Sequence, residues 1–188
     1  MKLTELGIKG AWIVESDVWP DNRGFFREWF KPSESREIIG FEFSVEQANL
    51  SISEYGVVRG IHYSLAPEGQ AKWVTCAHGA ILDFIIDLRT NSATFRKVES
   101  IHLGGNGNKS VLIGPGLGHA FISLTKGSVV TYLLNSSYKP ELEYAINPLD
   151  QSLKLNFGIP ADELVVSEKD KSAPTLNQQE ITGKLPTN

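Results

Sequence analysis

The chain has 188 residues, 41% hydrophobic and 21% charged, which is the composition of a soluble globular protein long enough to bury a sizeable core. Its net charge of −4 offers no basic field for nucleic acid, so an anionic small ligand would need locally gathered cations. A single cysteine, Cys76, excludes an internal disulfide and a cysteine-based zinc site.

Met1–Leu6 carries no apolar run of the signal-peptide type, and no stretch approaches a membrane span. A cytoplasmic protein with no nucleic-acid or membrane partner is expected. Short apolar runs broken by Gly, Pro, Asn and Asp predict an all-β sandwich or barrel. The strands expected are 11–14, 24–30, 41–53, 57–63, 72–77, 80–88, 97–102, 110–113, 120–124 and 128–135. One short helix is expected over 34–39, with Ser33 as N-cap and Gly40 just past its end. The whole chain, 1–188, reads as one domain. Its polar stretch from about residue 171, with two prolines, reads as a loose tail.

Asp21–Trp29 is a turn followed by a strand, and by themselves Arg23 and Glu28 are ordinary surface charges. In 41–53, Phe41, Phe43 and Val45 share a face with Gln47, Asn49, Ser51 and Ser53 by period two. Either a bulge near Glu46 flips the face, or the interior of a barrel turns polar towards one mouth, where small molecules bind.

Arg59-Gly60-Ile61-His62-Tyr63, with Lys72 ten residues after His62, places a guanidinium, an imidazole and an ammonium in one short window. The Pro- and Gly-punctuated loop between them predicts that His62 ends one strand and Lys72 begins the next. A base able to titrate near neutral pH then lies beside two fixed positive charges. That set suits proton abstraction from a carbon acid whose anion or phosphate tail needs a cation; the bland alternative is a charged surface hairpin.

Cys76 lies in a strand-like run and is expected to be a small buried hydrophobe. In 80–89, Asp83 interrupts an apolar run and must be paired to be tolerated, which makes it a candidate partner for His62 or Lys72. Asp87 suits a strand end facing water. His119 follows a Gly/Pro-rich turn, as in the second motif of cupin barrels. Yet His62 and His119 without a convergent carboxylate are a poor ligand set, so no metal is expected. Tyr132 shares a strand face with Val130 and Leu134 and by itself reads as a packed core tyrosine. Tyr138 lies in a loop, where it could stack on a planar ligand or cover apolar surface.

Together, Asp21-x-Arg23-Gly24-x-Phe26-x-Glu28, Gln47-x-Asn49-x-Ser51, Arg59-Gly60-x-His62, Lys72, Asp87-Leu88-Arg89-x-x-Ser92-x-Thr94-Phe95, Gly116-x-Gly118-His119-Ala120-Phe121, Tyr132, Tyr138-x-Pro140-x-x-Glu143 and Ser167-x-Lys169-Asp170 resemble the dTDP-4-dehydrorhamnose 3,5-epimerase family. The resemblance implies a cupin-like (jelly-roll) β-barrel with a few short helices, and a homodimer with exchanged N-terminal strands. It implies inversion of centres beside the C4 ketone of a dTDP-4-keto-6-deoxyhexose in deoxysugar biosynthesis, with no cofactor. His62 is implied as general base, Tyr132 as general acid on the opposite ring face, and Lys72 as the cation that steadies the enolate oxygen. Asp170, or alternatively Asp83, would orient His62. Arg23, Glu28, Gln47, Asn49, Arg59, His119, Glu143 and Lys169 are implied as substrate contacts, and Tyr138 as the ring that stacks on thymine. Arg96 after Phe95, Trp73 after Lys72 and the Gly-Leu-Gly-His form at 116–119 depart from the usual family pattern. These departures leave open whether C3, C5 or both are inverted. A 3,4-ketoisomerase and a non-catalytic sugar-nucleotide-binding cupin are the readings from other classes.

Overall fold

A strand buried on one face alternates in polarity, whereas a strand buried on both reads as a continuous apolar run. Both kinds occur here. The computed structural model describes residues 1–105 and 107–187. Its strands are β1 (Lys2–Glu5), β2 (Ala11–Glu15), β3 (Val18–Asp21), β4 (Gly24–Arg27), β5 (Gln47–Ser53), β6 (Val57–Ser64), β7 (Lys72–His78), β8 (Ala80–Asp87), β9 (Val98–Gly104), β10 (Lys109–Ile113), β11 (Leu117–Ser123), β12 (Ser128–Leu134), β13 (Glu143–Ala145) and β14 (Val165–Val166). The helices are α1 (Arg36–Ile39), α2 (Glu168–Lys171) and α3 (Leu176–Ile181).

Two antiparallel sheets face each other. One runs β1-β2-β10-β7-β12-β5, the other β13-β6-β11-β8-β9, and β14 lies parallel to β6. Between them Val74, Cys76, Ile81, Ile85, Val111, Phe121 and Val130 form a common core. Cys76 is buried there, as its strand context predicts. This is the all-β jelly-roll arrangement.

The second sheet is buried on its outer face as well. Ile61, Tyr63, Leu82, Phe84, Ile86 and Ile122 pack there against Leu153, Phe157, Val166, Leu176 and Leu185. Strand β8 is therefore apolar at nearly every position. The covering residues correct the expectation of a loose tail after residue 171. Leu176 is wholly buried, Tyr63 donates its hydroxyl to Lys184 O at 2.7 Å, and Thr175 closes a capping box at the start of α3. A polar segment can still dock when a few well-spaced apolar residues fill holes in a sheet.

Three local expectations differ from the structure. Pro32 sets a short 3₁₀ turn, so α1 starts at Arg36 after Ser35 and not behind Ser33; Gly40 does end it, with φ +77°. The strand expected over 24–30 stops at Arg27, because β4 pairs only with β3 and the chain then turns so that Phe30 packs on Trp73. Residues 41–46 are outside any strand; Phe43 joins Trp73 in an aromatic cluster, and only Gln47 onward pairs with β12. No helix among the described residues is long and apolar enough to cross a membrane.

Candidate active site

At one end of the sandwich the facing walls turn polar. Two adjoining cavities of about 530 and 560 Å³ open there and share Asn49, His62, Lys72 and Tyr132. The inward face of β5 supplies Gln47, Asn49 and Ser51. The polar half of the 41–53 stretch is thus a cavity wall, and no bulge is needed to explain it.

His62 stands on β6 and points inward, while its neighbours Ile61 and Tyr63 turn to the outer core. Its Nε2 lies 2.9 Å from Asp170 Oδ1. Asp170 is delivered by α2, whose N-cap Ser167 accepts from the Asp170 amide at 3.1 Å. Burial opposes the charge on Asp170, but the His62 ring, the Ser167 hydroxyl and the Gly60 amide outweigh it and hold the carboxyl below its usual range. Of the two partners considered for His62, the structure pairs it with Asp170.

Asp83 has a different partner. It is wholly buried, and its Oδ2 lies 2.7 Å from His119 Nε2 on the neighbouring strand β11. This corrects its assignment to His62. The pairing of β8 with β11 sets Asp83 opposite Phe121, one inward step from His119. Asp87 likewise does not face water. It is fully buried and accepts from the Arg89 guanidinium and from the hydroxyls of Ser92 and Thr94. Burial pushes its carboxyl up, yet those donors prevail and hold it at about 2. Asp87 is the hub of a loop, which explains the Asp-Leu-Arg-x-x-Ser-x-Thr spacing.

Lys72 starts β7 on the facing sheet and is buried, its ammonium donating to His62 O at 3.3 Å. Burial pushes it down to about 8, with Glu143 and Asp83 acting in the opposite direction. Tyr132, on β12 beside β7, is half-buried: it packs against the core shared by the two sheets, as its strand face predicts, and also lines both cavities. Burial raises its phenol, while Arg59 and Asn49 pull the other way. Imidazole and phenol thus stand on opposite walls of one cavity.

Tyr138, Glu143 and Lys169 line the smaller cavity, and Arg59 and His119 the larger. Arg59 Nε donates to Ser53 Oγ at 3.0 Å. Gln47 bonds both Asn49 and the Tyr138 amide, at 2.9 Å each, which ties the loop to the wall. Arg23 and Glu28 are not brought to the cavities. Arg23 pairs with Asp21 on the exposed β3–β4 hairpin, and Glu28 with Lys31 at 3.6 Å. Sequence reasoning passed over Gln70, which is buried in the wall of the smaller cavity and bonds Glu143 at 2.8 Å. Its only signal was its place two residues before Lys72. Among the described residues no group of three or more His, Cys, Asp or Glu is gathered as for a metal ion.

The chain is 44% identical over 183 residues to a dTDP-4-dehydro-6-deoxyglucose 3-epimerase of a Streptomyces species, covering 97% of this chain and 92% of that protein. It is 40% identical over 190 residues to the dTDP-4-dehydrorhamnose 3,5-epimerase of Mycolicibacterium smegmatis, covering 100% and 92%. Its fold superposes with a TM-score of 0.95 and 37% identity on NovW, a 4-keto-6-deoxy sugar epimerase from the novobiocin cluster of Streptomyces spheroides, covering 100% and 93%. The sequence model described as dTDP-4-dehydrorhamnose 3,5-epimerase matches residues 5–178. By these matches and by its fold, the chain is a member of the dTDP-4-dehydrorhamnose 3,5-epimerase family of isomerases.

Proposed function

We propose that the protein epimerises a dTDP-4-keto-6-deoxyhexose at C3, at C5 or at both. The observation that carries this reading is the placement of His62 and Tyr132 on facing walls with Lys72 between the sheets. His62 takes the proton from the carbon beside the ketone, and the electron pair moves to the C4 oxygen. Lys72 donates to that enolate oxygen. Tyr132 gives its proton to the carbon from the far face, the enolate collapses to the ketone, the phenolate is reprotonated from solvent, and His62 releases its proton to solvent. A positioned acid and base contribute about 10²–10⁴-fold, and one electrostatic donor about 10²–10³-fold. Arg59 suits the diphosphate and Tyr138 the thymine, with Gln47, Asn49, His119, Glu143 and Lys169 as further contacts.

Arg23 and Glu28 lie outside this chain's cavities, and the hairpin that carries them exposes Trp19, Phe25 and Phe26. On β5, Leu50 and Ile52 are more than 60% exposed. These residues support a homodimer with exchanged N-terminal strands, in which the hairpin of one protomer completes the site of its partner. A cytoplasmic location goes with a sugar-nucleotide substrate.

A C3-only epimerase is the second reading, favoured by the 44% identity to a 3-epimerase. Incubation with dTDP-4-keto-6-deoxyglucose in heavy water tests both. Deuterium and inversion at C3 and C5 indicate the double epimerase, and at C3 alone the single one. A product with its ketone moved to C3 would mark a ketoisomerase, and no exchange at all would refute the proposal.

A further inference from the structure

Gln70 has no role in the chemistry above, yet it is almost wholly buried and stands two residues before Lys72. The two side chains line the same cavity, while Ala71 and Trp73 turn into the aromatic cluster. Its amide Nε2 donates to Glu143 Oε1 at 2.8 Å, spanning from the entry of β7 on one sheet to β13 on the other. Among the described residues this is the only hydrogen bond to the Glu143 carboxylate. Glu143 lines the same cavity as Lys72 and favours its charged form, yet no carboxylate oxygen of the described residues lies within 4.0 Å of Lys72 Nζ. The ammonium gives one bond, to His62 O, so its other hydrogens are free.

We infer that Gln70 is a positioning residue: it tethers Glu143 at a distance that keeps the Lys72 ammonium charged but unpaired, with donors free for an oxygen anion. The inference rests on the reading of Lys72 as the group that steadies the enolate. Two requirements conflict at such a cation. A carboxylate in contact would occupy its hydrogens, and a carboxylate far away would leave a buried ammonium to lose its proton. A tethered carboxylate meets both. The titratable and charged groups facing Lys72 across the two cavities are Glu143 and Tyr144 from β13, Asp83 from β8, His62 and Arg59 from β6, His119 from β11, Tyr132 from β12, Lys169 and Asp170 from α2, and Tyr138 from the loop before β13. Of these, Glu143 is held by a single neutral side chain.

Gln70→Met keeps the length and removes the donor. Released, Glu143 is drawn onto the nearest buried cation. The readout is an NMR titration of ¹³C-labelled lysines, with Lys72 assigned by its loss in Lys72→Met. Wild-type Lys72 should titrate near pH 8. In Gln70→Met it should titrate higher by about one pH unit, and kcat should fall about 10- to 100-fold. In a Glu143→Gln background, Gln70→Met should change neither. An unmoved or lowered Lys72 titration overturns the inference. So does an equal loss of kcat in both backgrounds, which is the mark of a merely structural role. A wild-type protein that turns over no dTDP-sugar would refute the proposed function, and the Lys72 titration would still decide the tether.

Discussion

His62 and His119 stand directly opposite each other on the neighbouring strands β6 and β11, and each has its own carboxylate. Asp170 reaches His62 from a C-terminal helix at 2.9 Å, and Asp83 reaches His119 from β8 at 2.7 Å. Two rings of one chemistry are thereby given separate anchors, one pair partly open to solvent and the other buried. The separation predicts distinct phenotypes for the two pairs.

His62→Asn keeps the shape of the ring and removes the base. Turnover should fall by about 10²–10⁴-fold while dTDP affinity stays within about threefold. Asp170→Asn should lose kcat more than it changes KM, because the ring is still present but no longer held. Calorimetric titration with dTDP alongside turnover checks both, and equal losses of binding and turnover would make His62 a binding residue.

The second pair should behave as one unit. If Asp83 acts by fixing His119, Asp83→Asn and His119→Asn should each raise KM about tenfold, and the double variant little more. A double-mutant cycle measures this. Fully additive losses would mean that Asp83 works on another group, such as Lys72, whose charged form it favours.

Tyr132→Phe should separate exchange from inversion. In the proposed mechanism His62 alone removes the C3 proton and returns a solvent-derived one with retention, whereas inversion takes its proton from the phenol on the far wall. Deuterium should therefore enter C3 with little inverted sugar formed. Inversion at the wild-type rate in this variant would remove Tyr132 from the mechanism.

Lys72 links activity and stability to pH with opposite signs. Its folded value of about 8 lies below the ordinary 10.5, so the unfolded chain binds the extra proton between those values. Stability contributed by this site is absent below about pH 8, rises as pH climbs from 8 to 10.5, and amounts to about 3 kcal/mol. With Lys72 in its proposed role, turnover depends on the charged ammonium and should fall over the same range. Denaturant unfolding of wild type against Lys72→Met from pH 7 to 10.5 should show the wild type gaining relative to the variant. A flat difference would contradict the burial of a charged Lys72.

The oligomer prediction concerns Arg23 and Glu28. Scattering at working concentration should give a dimer. Mixing Arg23→Ala with His62→Asn, each inactive, should restore about a quarter of wild-type activity, because a hybrid dimer holds one intact site. No recovery after confirmed subunit exchange would place Arg23 outside the site.

Much of the fold was legible in the residues. The period-two pattern at Gln47–Ser53 gave the inward polar face, and the apolar run of β8, broken by Asp83 and Asp87, reflects a sheet buried on both sides. The order of motifs carried the family, and His62, Lys72, Tyr132 and Asp170 were named from it. Such features are local, since a strand's alternation decides which way each side chain leaves the backbone. What the side chains meet is decided by strands far apart in the chain. Asp83 could have served His62 or Lys72; only the pairing of β8 with β11 gave it to His119. Gln70 was silent until β13 brought Glu143 across to it. The segment after residue 171 read as loose because its few apolar residues are spaced for holes in another surface. Local periodicity is written in adjacent residues, but pairing across sheets depends on strand order and register, which emerge only when the whole chain closes on itself.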